Sequence, residues 1–412
     1  MTDVAWIGAA LTAARPQAVA ALLRYFRNLD VAEEAFQEAC LRALKSWPLN
    51  GPPRDPAAWC IFVGRNSALD EMRRRNKHDT LPDDDVIADG EDTESAMVER
   101  LDSSAYQDDV LRLLFICCQP DLPATQQIAV ALRIVSGLSV QEIASAFLVS
   151  EAAMAQRITR AKRAMTQSVV AFETPGPVER AERLGTVAAM IYLLFNEGYS
   201  ASGGDAHVRV PLCEEAIRLG RLLLRLFPGE SEIMGLTALM LLQHARAAAR
   251  LDENASIVLL DDQDRTLWDR ALLAEGLVLV EKAQRTGTLG TYQMQAAIAA
   301  VHARAARPQD TDWSQIDQIY AALEVLQPSP VVTLNRAVAV SKVRGAEAAL
   351  KMLEPLADAL GSYFHYFGVK GALLKDLGRA DEAREAFNKA VSLARTAAEA
   401  AHIRMNLDRL NK

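Results

Sequence analysis

Apolar residues recur at intervals of three and four along nearly the whole chain, and runs in which apolar and polar residues alternate are almost absent. The first spacing places side chains on one face of an α-helix, whereas alternation is typical of a strand. The pattern therefore predicts an all-α protein. Two stretches interrupt it: positions 76–107 are polar, acidic and poor in aromatic residues, and positions 173–177, ETPGP, combine two prolines with a glycine.

These interruptions predict four segments: a helical block at 1–76, an acidic linker at 77–107, a second helical block at 108–172 and a long helical region at 178–412. No apolar run approaches the roughly 18–20 residues that cross a bilayer. The N-terminal stretch has no basic segment of the kind that precedes a secretory signal. Five scattered cysteines fit a reducing compartment. We therefore expect a cytoplasmic protein with no membrane partner.

The charge is distributed unevenly along the chain. The net charge of −8 argues by itself against a nucleic-acid partner. However, positions 79–109 hold 12 acidic residues and one basic residue, and the rest of positions 1–170 holds 17 Lys and Arg against 11 Asp and Glu. Two modestly basic blocks therefore flank an acidic segment, and each block remains a candidate for contact with nucleic acid.

The second block contains GLSVQEIASAFLVSEAAMAQRITRAKRAM at positions 137–165. Ser139 and Glu142 have the spacing of a capping box, which predicts a helix over 139–147. Ser150 predicts the start of a second helix. Its buried stripe has the 4-3-4 spacing of Met154, Ile158, Ala161 and Met165.

The opposite side of this second helix carries one amide and three guanidinium groups: Gln156, Arg157, Arg160 and Arg163. Such groups can hydrogen-bond base edges and phosphates in the major groove, as the recognition helix of a helix-turn-helix does. An ordinary helix hairpin with a solvated basic face is the alternative.

The first block contains WCIFVGRNSALDEMRRRNKH at positions 59–78. A helical wheel predicts one apolar core face, formed by Ala58, Ile61, Phe62, Ala68, Leu69 and Met72. A second stripe holds Trp59, Asn66, Asp70 and Arg73 and runs into a basic segment, Arg74, Arg75, Asn76 and Lys77. This composition suits phosphates and unpaired bases, whereas surface charge around a structural Trp is the alternative. Arg65 falls within the apolar face and requires a partner.

The segment just upstream, positions 30–47, has the pattern of an amphipathic helix with Ala35, Leu41 and Leu44 among its predicted buried residues. Its acidic and amide side consists of Glu33, Glu34, Gln37 and Glu38. That side suits a partner with basic helices, or it is simply solvated.

The C-terminal region carries a 34-residue period. Ala337, Ala349, Leu353 and Leu356 are followed 34 positions later by Gly371, Ala383, Phe387 and Ala390. This period is typical of tetratricopeptide (TPR) helix pairs, in which small residues allow two helices to approach closely. A generic array of helical hairpins is the alternative. Either arrangement predicts a binding surface rather than a catalytic pocket.

Three phrases occur in a diagnostic order: AEEAFQEACLRAL, PAAWCIFVGRNSALDEMRRR and, after the acidic linker, GLSVQEIASAFLVSEAAMAQRITRAKRAM. Together they resemble region 2 and region 4 of the extracytoplasmic-function (group IV) sigma factors of bacterial RNA polymerase. The remaining residues are similar to the TPR-like extension of one subgroup, with the shared phrases LRLLFICCQPDL, YLLFNEGYSAS, LLDDQDRTLWD and PSPVVTLNRAVAV. The resemblance implies a helical region 2 domain, a helix-turn-helix region 4 domain and a TPR-like helical domain.

The resemblance also implies partners and residue roles. The implied function is that of a sigma factor that directs core RNA polymerase to promoter DNA, without catalytic residues or a cofactor. The residues implied to bind the clamp of the polymerase are Glu34, Gln37 and Glu38. Those implied at the −10 element are Trp59, Asn66, Arg73, Arg74, Arg75, Asn76 and Lys77, and those at the −35 element are Gln156, Arg157, Arg160 and Arg163.

Two further questions concern metal binding and other functions. The subgroup's CCHP phrase is replaced by Cys117-Cys118-Gln119-Pro120, and the loss of a His ligand favours a pair of buried cysteines over a metal site.

The alternative function is a helix-turn-helix regulator with a TPR-like sensor that never acts as a polymerase subunit. An enzyme is not expected, because the six His residues are dispersed and no nucleophile constellation appears. The C-terminal region is expected to regulate the sigma part, through an intramolecular contact or a protein partner.

Overall fold

The computed structural model describes the chain over nine ranges: 5–76, 103–118, 122–147, 149–167, 177–199, 210–252, 258–285, 289–394 and 397–410. Over these ranges the chain is helical and forms no β-strand, which confirms the predicted all-α class. The chain divides into two compact units, residues 1–193 and 194–412. None of the helices in the described ranges combines the length and the apolar character that a membrane crossing requires.

Within the described ranges, the first unit contains seven helices and a π-helical turn, and an eighth helix, α8 (Pro177–Tyr199), runs across its boundary. In chain order the seven are α1 (Ala5–Phe26), α2 (Leu29–Asn50), α3 (Pro56–Asn76), α4 (Ser103–Cys117), α5 (Ala124–Ala131), α6 (Val140–Ala146) and α7 (Glu151–Gln167), with the π-helical turn Leu132–Ser136 between α5 and α6. Helix α4 begins within the segment that the sequence assigns to the acidic linker.

Helices α1, α2 and α3 pack against one another. Gly64 permits a close approach of α3 to α2, because a Cβ at this position would lie 2.7 Å from the backbone oxygen of Ala35 on α2. The buried side of α3 therefore centres on Cys60 and Gly64. The predicted core face is only partly correct: Ala58 and Ile61 are buried, Phe62, Ala68 and Leu69 are half-buried, and Met72 is exposed.

The second block folds as its sequence predicts. The Ser139 backbone N–H donates to the Glu142 carboxylate at 2.7 Å, and the Glu142 N–H donates to Ser139 Oγ at 3.1 Å. These bonds to Ser139 lower the pKa of Glu142. The Ala153 N–H donates to Ser150 Oγ at 3.3 Å and so caps α7. The predicted apolar stripe of α7 is buried along its whole length: Met154, Ile158, Ala161 and Met165.

Ion pairs join the two blocks within the first unit. Glu33 on α2 accepts a hydrogen bond from Arg15 on α1 at 3.1 Å and contacts Lys162 on α7. Arg24 on α1 lies 3.3 Å from Asp109 on α4, and Arg112 donates to the same carboxylate at 3.1 Å. The helices of the first block are therefore in direct contact with those of the second.

The second unit continues as a series of helices after α8. They are α9 (Val210–Leu226), α10 (Ser231–His244), α11 (Arg270–Gln284), α12 (Thr291–Arg304), α13 (Trp313–Leu326), α14 (Pro330–Arg344), α15 (Ala346–Leu353), α16 (Phe364–Asp376), α17 (Ala380–Leu393) and α18 (Ala397–Leu410). Consecutive helices from α14 to α17 pack against one another, and the positions related by the 34-residue period lie in their successive cores.

The pair α16–α17 is held together by the residues that the period singles out. A Cβ at Gly371 would lie 2.6 Å from the ring of Phe387, which is buried along with Ala383 and Ala390. The missing side chain is therefore what allows the aromatic ring to occupy the gap between the two helices. By contrast, a Cβ at Gly368, on the same helix, would meet only Ile403 at the ordinary distance of 3.6 Å.

These two glycines provide a matched test of the packing. Gly→Ala in a helix interior normally stabilises by up to about 1 kcal/mol, which is the result expected for Gly368→Ala. Gly371→Ala is expected to lower the free energy of unfolding by about 1–3 kcal/mol, because the Phe387 ring must move within a filled core. Thermal unfolding of both variants measures the difference, and equal stability would contradict this account of the pair.

Candidate nucleic-acid interface

A groove of about 360 Å³ lies between α2 and α3. Its walls combine carboxylates with apolar groups, and its lining residues are Val31, Glu34, Ala35, Gln37, Glu38, Leu41, Arg42, Ser67, Ala68, Asp70, Glu71 and Met72. Glu34 and Gln37 are exposed, whereas Glu38 is half-buried and accepts a hydrogen bond from Arg42 at 3.2 Å. The structure thus brings the three residues predicted to bind polymerase together at one groove.

Three expectations about α2 are wrong. Leu41 and Leu44 were expected in the core, yet they are 54% and 50% exposed, and Leu41 lines the groove. Glu33 was expected on the exposed acidic side, yet it is buried among cations on the inner side of the helix. The spacing of apolar residues could not separate core residues from an exposed apolar surface, since both follow the helical period.

Trp59 is held in place by a row of aromatic rings. Its ring meets that of Trp47 edge-on with centroids 5.2 Å apart, and Trp47 in turn stacks on Trp6 at 6.1 Å. Trp47 is buried, whereas Trp59 is half-buried. The buried ring of Trp47 therefore supports one side of Trp59 and leaves part of Trp59 at the surface, where a base can stack on an aromatic face.

The other residues predicted at the −10 element continue along α3. Asn66 is half-buried and Arg73 is exposed, with its guanidinium 3.9 Å from the carboxylate of Asp70. Asp70 also lines the α2–α3 groove, so the predicted stripe borders that groove. The backbone of positions 74–76, which hold Arg74, Arg75 and Asn76, continues the helix, and Lys77 lies outside the described residues.

Arg65, for which the sequence required a partner, lies over an aromatic ring. Its guanidinium carbon is 5.5 Å from the ring centroid of Tyr25 on α1. The aromatic face offers the cation a favourable electrostatic contact without a carboxylate. The sequence could not identify this partner, because Tyr25 and Arg65 are 40 positions apart.

The four residues predicted at the −35 element lie on α7. Gln156, Arg160 and Arg163 are exposed, and Arg157 is half-buried. Because the apolar stripe of α7 is buried, its polar face points away from the core. An exposed face of one amide and several guanidiniums meets the chemical requirement for contacts with base edges and phosphates.

The cysteines of the CCQP segment are buried thiols. Cys117 and Cys118 donate their S–H groups to the backbone oxygens of Leu113 and Leu114, at 3.3 and 3.2 Å. Burial raises the pKa of Cys118 to about 12, and it raises the pKa of Cys117 well above its usual value. Within the described ranges, no three His, Cys, Asp or Glu side chains are grouped as metal ligands. Gln119 and Pro120 lie outside those ranges.

Comparison with known proteins finds three families along the chain. Residues 11–78 match sigma-70 region 2, and residues 112–165 match sigma-70 region 4. Residues 183–284 match a family of unknown function, DUF6596. A relative from Rhizobium meliloti (strain 1021), an uncharacterized protein, is 65% identical over 410 residues, which cover 100% of this chain and 97% of the relative.

The matches to regions 2 and 4 fall on the helices that carry the predicted interfaces. Region 2 covers most of α1 and the whole of α2 and α3, and region 4 extends from α4 to α7. Region 2 and region 4 are both present and follow one another in the chain. Their presence supports a sigma factor rather than a helix-turn-helix regulator that never acts as a polymerase subunit. The chain belongs to the sigma-70 family, as a sigma factor of the extracytoplasmic-function type with a helical C-terminal extension.

Proposed function

We propose that this sigma factor docks core RNA polymerase at the α2–α3 groove and reads promoter DNA with α3 and α7. The groove is the observation that carries the proposal. It joins exposed carboxylates to the exposed apolar side chains of Leu41 and Met72. A basic helical surface with apolar residues would complement it in both charge and hydrophobicity. The sigma families are not enzymes, and we propose that the protein acts in the cytoplasm, where its polymerase works.

The two DNA-reading helices have different proposed tasks. Trp59, with its supported ring, would stack on an unpaired base of the −10 element, and Asn66 and the arginines from Arg73 onward would contact that strand and its phosphates. The exposed face of α7 would enter the major groove of the −35 element. Helix α3 carries an aromatic ring that can stack, whereas α7 carries amide and guanidinium groups. This difference supports the two proposed tasks, because unpaired bases are recognised by stacking and duplex DNA by hydrogen bonds.

We propose that the C-terminal extension is a TPR-like domain that regulates the sigma part or binds a partner. The tight Gly371–Phe387 packing and the buried residues at 34-residue spacing support the repeat. Stacked helical pairs form extended surfaces suited to protein partners. A large module of this kind, fused to a sigma factor that has both DNA-reading regions, supports a regulatory role.

The proposed docking groove is tested by Gln37→Ala combined with Glu38→Ala. Both side chains reach the surface, so the fold should persist while affinity for core polymerase falls roughly 10- to 100-fold. Lys45→Ala removes an exposed side chain of α2 outside the groove and serves as the control. Binding of purified core polymerase measures the effect, and unchanged affinity of the double variant would show that this groove is not the docking site.

The proposed task of α7 is tested by comparing Gln156→Ala with Arg160→Ala in the reconstituted holoenzyme. Loss of an amide that reads a base should weaken binding by about 1–3 kcal/mol and relax the preference at one base pair. Loss of an arginine that contacts phosphate should weaken all promoters alike and reduce the salt slope by about 1. Binding to a set of promoter variants at several salt concentrations separates the two results. If neither variant alters DNA binding, α7 does not read the −35 element.

The proposed role of the extension is tested by deleting residues 200–412 while keeping α8. This helix is retained because Arg183 lies over the ring of Phe115 on α4, at 5.3 Å from its centroid, within the first unit. Start-specific transcription from a dependent promoter should change roughly fivefold or more, the usual size of a coupling between sites. Output equal to that of the full chain would contradict a regulatory role.

A further inference from the structure

Two arginines of the second unit meet at the tyrosine that ends α8. The guanidinium carbon of Arg250 lies 3.5 Å from the ring centroid of Tyr199, and Arg250 donates to the backbone oxygen of the same residue at 2.7 Å. Arg246 donates to the Tyr199 hydroxyl at 3.0 Å. The Phe195 ring stacks with that of Tyr199, with centroids 5.4 Å apart. Contacts with both arginines and with Phe195 therefore fix the position of the tyrosine.

Arg265 brings a third guanidinium to this part of the unit. The 3₁₀ turn at Ala247–Ala249, between Arg246 and Arg250, packs on a second turn that begins at Arg265. The Arg265 side chain donates to the backbone oxygen of His302 at 2.7 Å. Burial lowers the pKa of Arg250 and of Arg265, and the charge of Arg246 lowers the pKa of both further. Arg246 therefore lies close enough to repel the other two cations.

These three arginines differ from most others of the second unit in their partners. Many arginines there pair with carboxylates: Arg218, Arg221, Arg304, Arg307, Arg336, Arg344, Arg379 and Arg384. The described hydrogen bonds of Arg246, Arg250 and Arg265 go instead to Tyr199 and to backbone oxygens. No carboxylate in the part of the chain that the structure describes forms an ion pair with any of the three. Their charges therefore lack direct counter-ions.

The acidic groups that act on Arg265 from a distance are already engaged. Asp261 and Asp310 both favour its charged form. However, Asp261 lies 3.4 Å from the ammonium group of Lys342, and Asp310 accepts two hydrogen bonds from Arg307 at 2.9 Å. These pairs reduce what either carboxylate contributes to the arginine cluster.

One hydrogen-bonding edge of Arg265 also lacks an acceptor. In four other arginines of the unit, Nε and Nη2 together hold one carboxylate: Arg218, Arg221, Arg307 and Arg379. The same two nitrogens of Arg265 are buried without a hydrogen-bond partner. Buried donors without acceptors are costly, and this edge matches two oxygens of one oxyanion. Arg246, Arg250 and Tyr199 are only half-buried, so the cluster reaches the surface.

We propose that Arg246, Arg250, Arg265 and Tyr199 form an anion site that binds a phosphoryl group, as inorganic phosphate or as part of a small phosphate monoester. A phosphoryl group carries a charge of about −1.5 to −2 at neutral pH and three acceptor oxygens. A carboxylate carries a single charge, so three guanidiniums without counter-ions favour the phosphoryl group. The Tyr199 hydroxyl accepts from Arg246 and keeps its own proton to donate to the ligand.

The anion site goes beyond the proposed function and does not rest on it. Its four residues all belong to the second unit, apart from the groove and the helices proposed to bind polymerase and DNA. Its test needs neither polymerase nor DNA. A failure of the anion site can therefore be told apart from a failure of the proposed function.

The test titrates the full-length protein into inorganic phosphate and, separately, into glycerol 3-phosphate, and follows the line width of the phosphorus NMR signal. Arg246→Met is expected to weaken binding of both probes roughly tenfold or more, because a charge-assisted hydrogen bond is lost. Arg246→Lys keeps the charge without the planar fork and should restore part of the binding. Tyr199→Phe keeps the ring contacts, removes only the hydroxyl and should weaken binding roughly threefold or more.

The matched control is Arg225→Met, which removes an exposed arginine of α9. Arg225 lies about 18 Å further along that helix than Cys213, whose thiol is near Arg250. Its binding of both probes should equal that of the wild type. Far-ultraviolet circular dichroism checks that each variant folds, and if Arg246→Met does not fold, Arg246→Lys and Tyr199→Phe decide the question.

Equal binding by the wild type, the Arg246 variants and Tyr199→Phe would overturn the anion site, because the phosphate would then be bound elsewhere. A second measurement replaces sodium chloride at constant ionic strength. Sulfate should displace phosphate and acetate should not, and equal displacement by both salts would also overturn the site. Tighter binding of glycerol 3-phosphate would identify a monoester as the ligand, and tighter binding of inorganic phosphate the free ion. Both of these results support the site.

Discussion

A carboxylate that loses its water must be compensated by cations and hydrogen-bond donors, and Glu33 meets this requirement from two directions. Arg15 approaches it from α1 and Lys162 from α7. Arg15 also donates to the backbone of the π-helical turn. The contacts around this buried carboxylate therefore connect α1, α2, α7 and the turn. Glu33 lies on the same inward side of α2 as the buried Ala32, Ala35 and Phe36. As a consequence, Glu34, Gln37 and Leu41 of the same helix remain at the surface and form one wall of the groove.

The parts of the structure that local chemistry determines could be predicted from the sequence. The capping box of Ser139 and Glu142, the cap at Ser150 and the buried stripe of α7 all depend on residues within a few positions of one another. The close packing of Gly371 on Phe387 was visible as a repeated small residue opposite an aromatic one. Because the same local rules place the polar face of α7 opposite its core stripe, Gln156, Arg160 and Arg163 of the predicted −35 residues are exposed, and Arg157 is half-buried.

The parts that depend on distant contacts could not be predicted. Leu41, Leu44 and Met72 follow the period of a core but are exposed, and the period alone does not distinguish a core face from an exposed apolar face. In the sequence, Glu33 looks like another exposed acidic residue beside Glu34. Its burial becomes apparent only in the fold, where Lys162 of α7 contacts it. A signal was available at Gly64, since a glycine inside a helix often marks a close approach of two backbones. If Gly64 had been taken as a position of close packing, the predicted core face of α3 would have been centred nearer to Cys60.

The burial of the cysteines has a consequence for chemical reactivity. Burial raises the pKa of Cys40 to about 11 and that of Cys60, Cys118 and Cys213 to about 12, and it raises the pKa of Cys117 well above its usual value. The thiolate is the form that reacts with oxidants and with maleimides, and at pH 8 a thiol of pKa 11 is ionised in only about one molecule in a thousand. The native thiols are therefore slow to react with peroxide. A single cysteine introduced at the surface would be modified selectively, with all five native residues left in place.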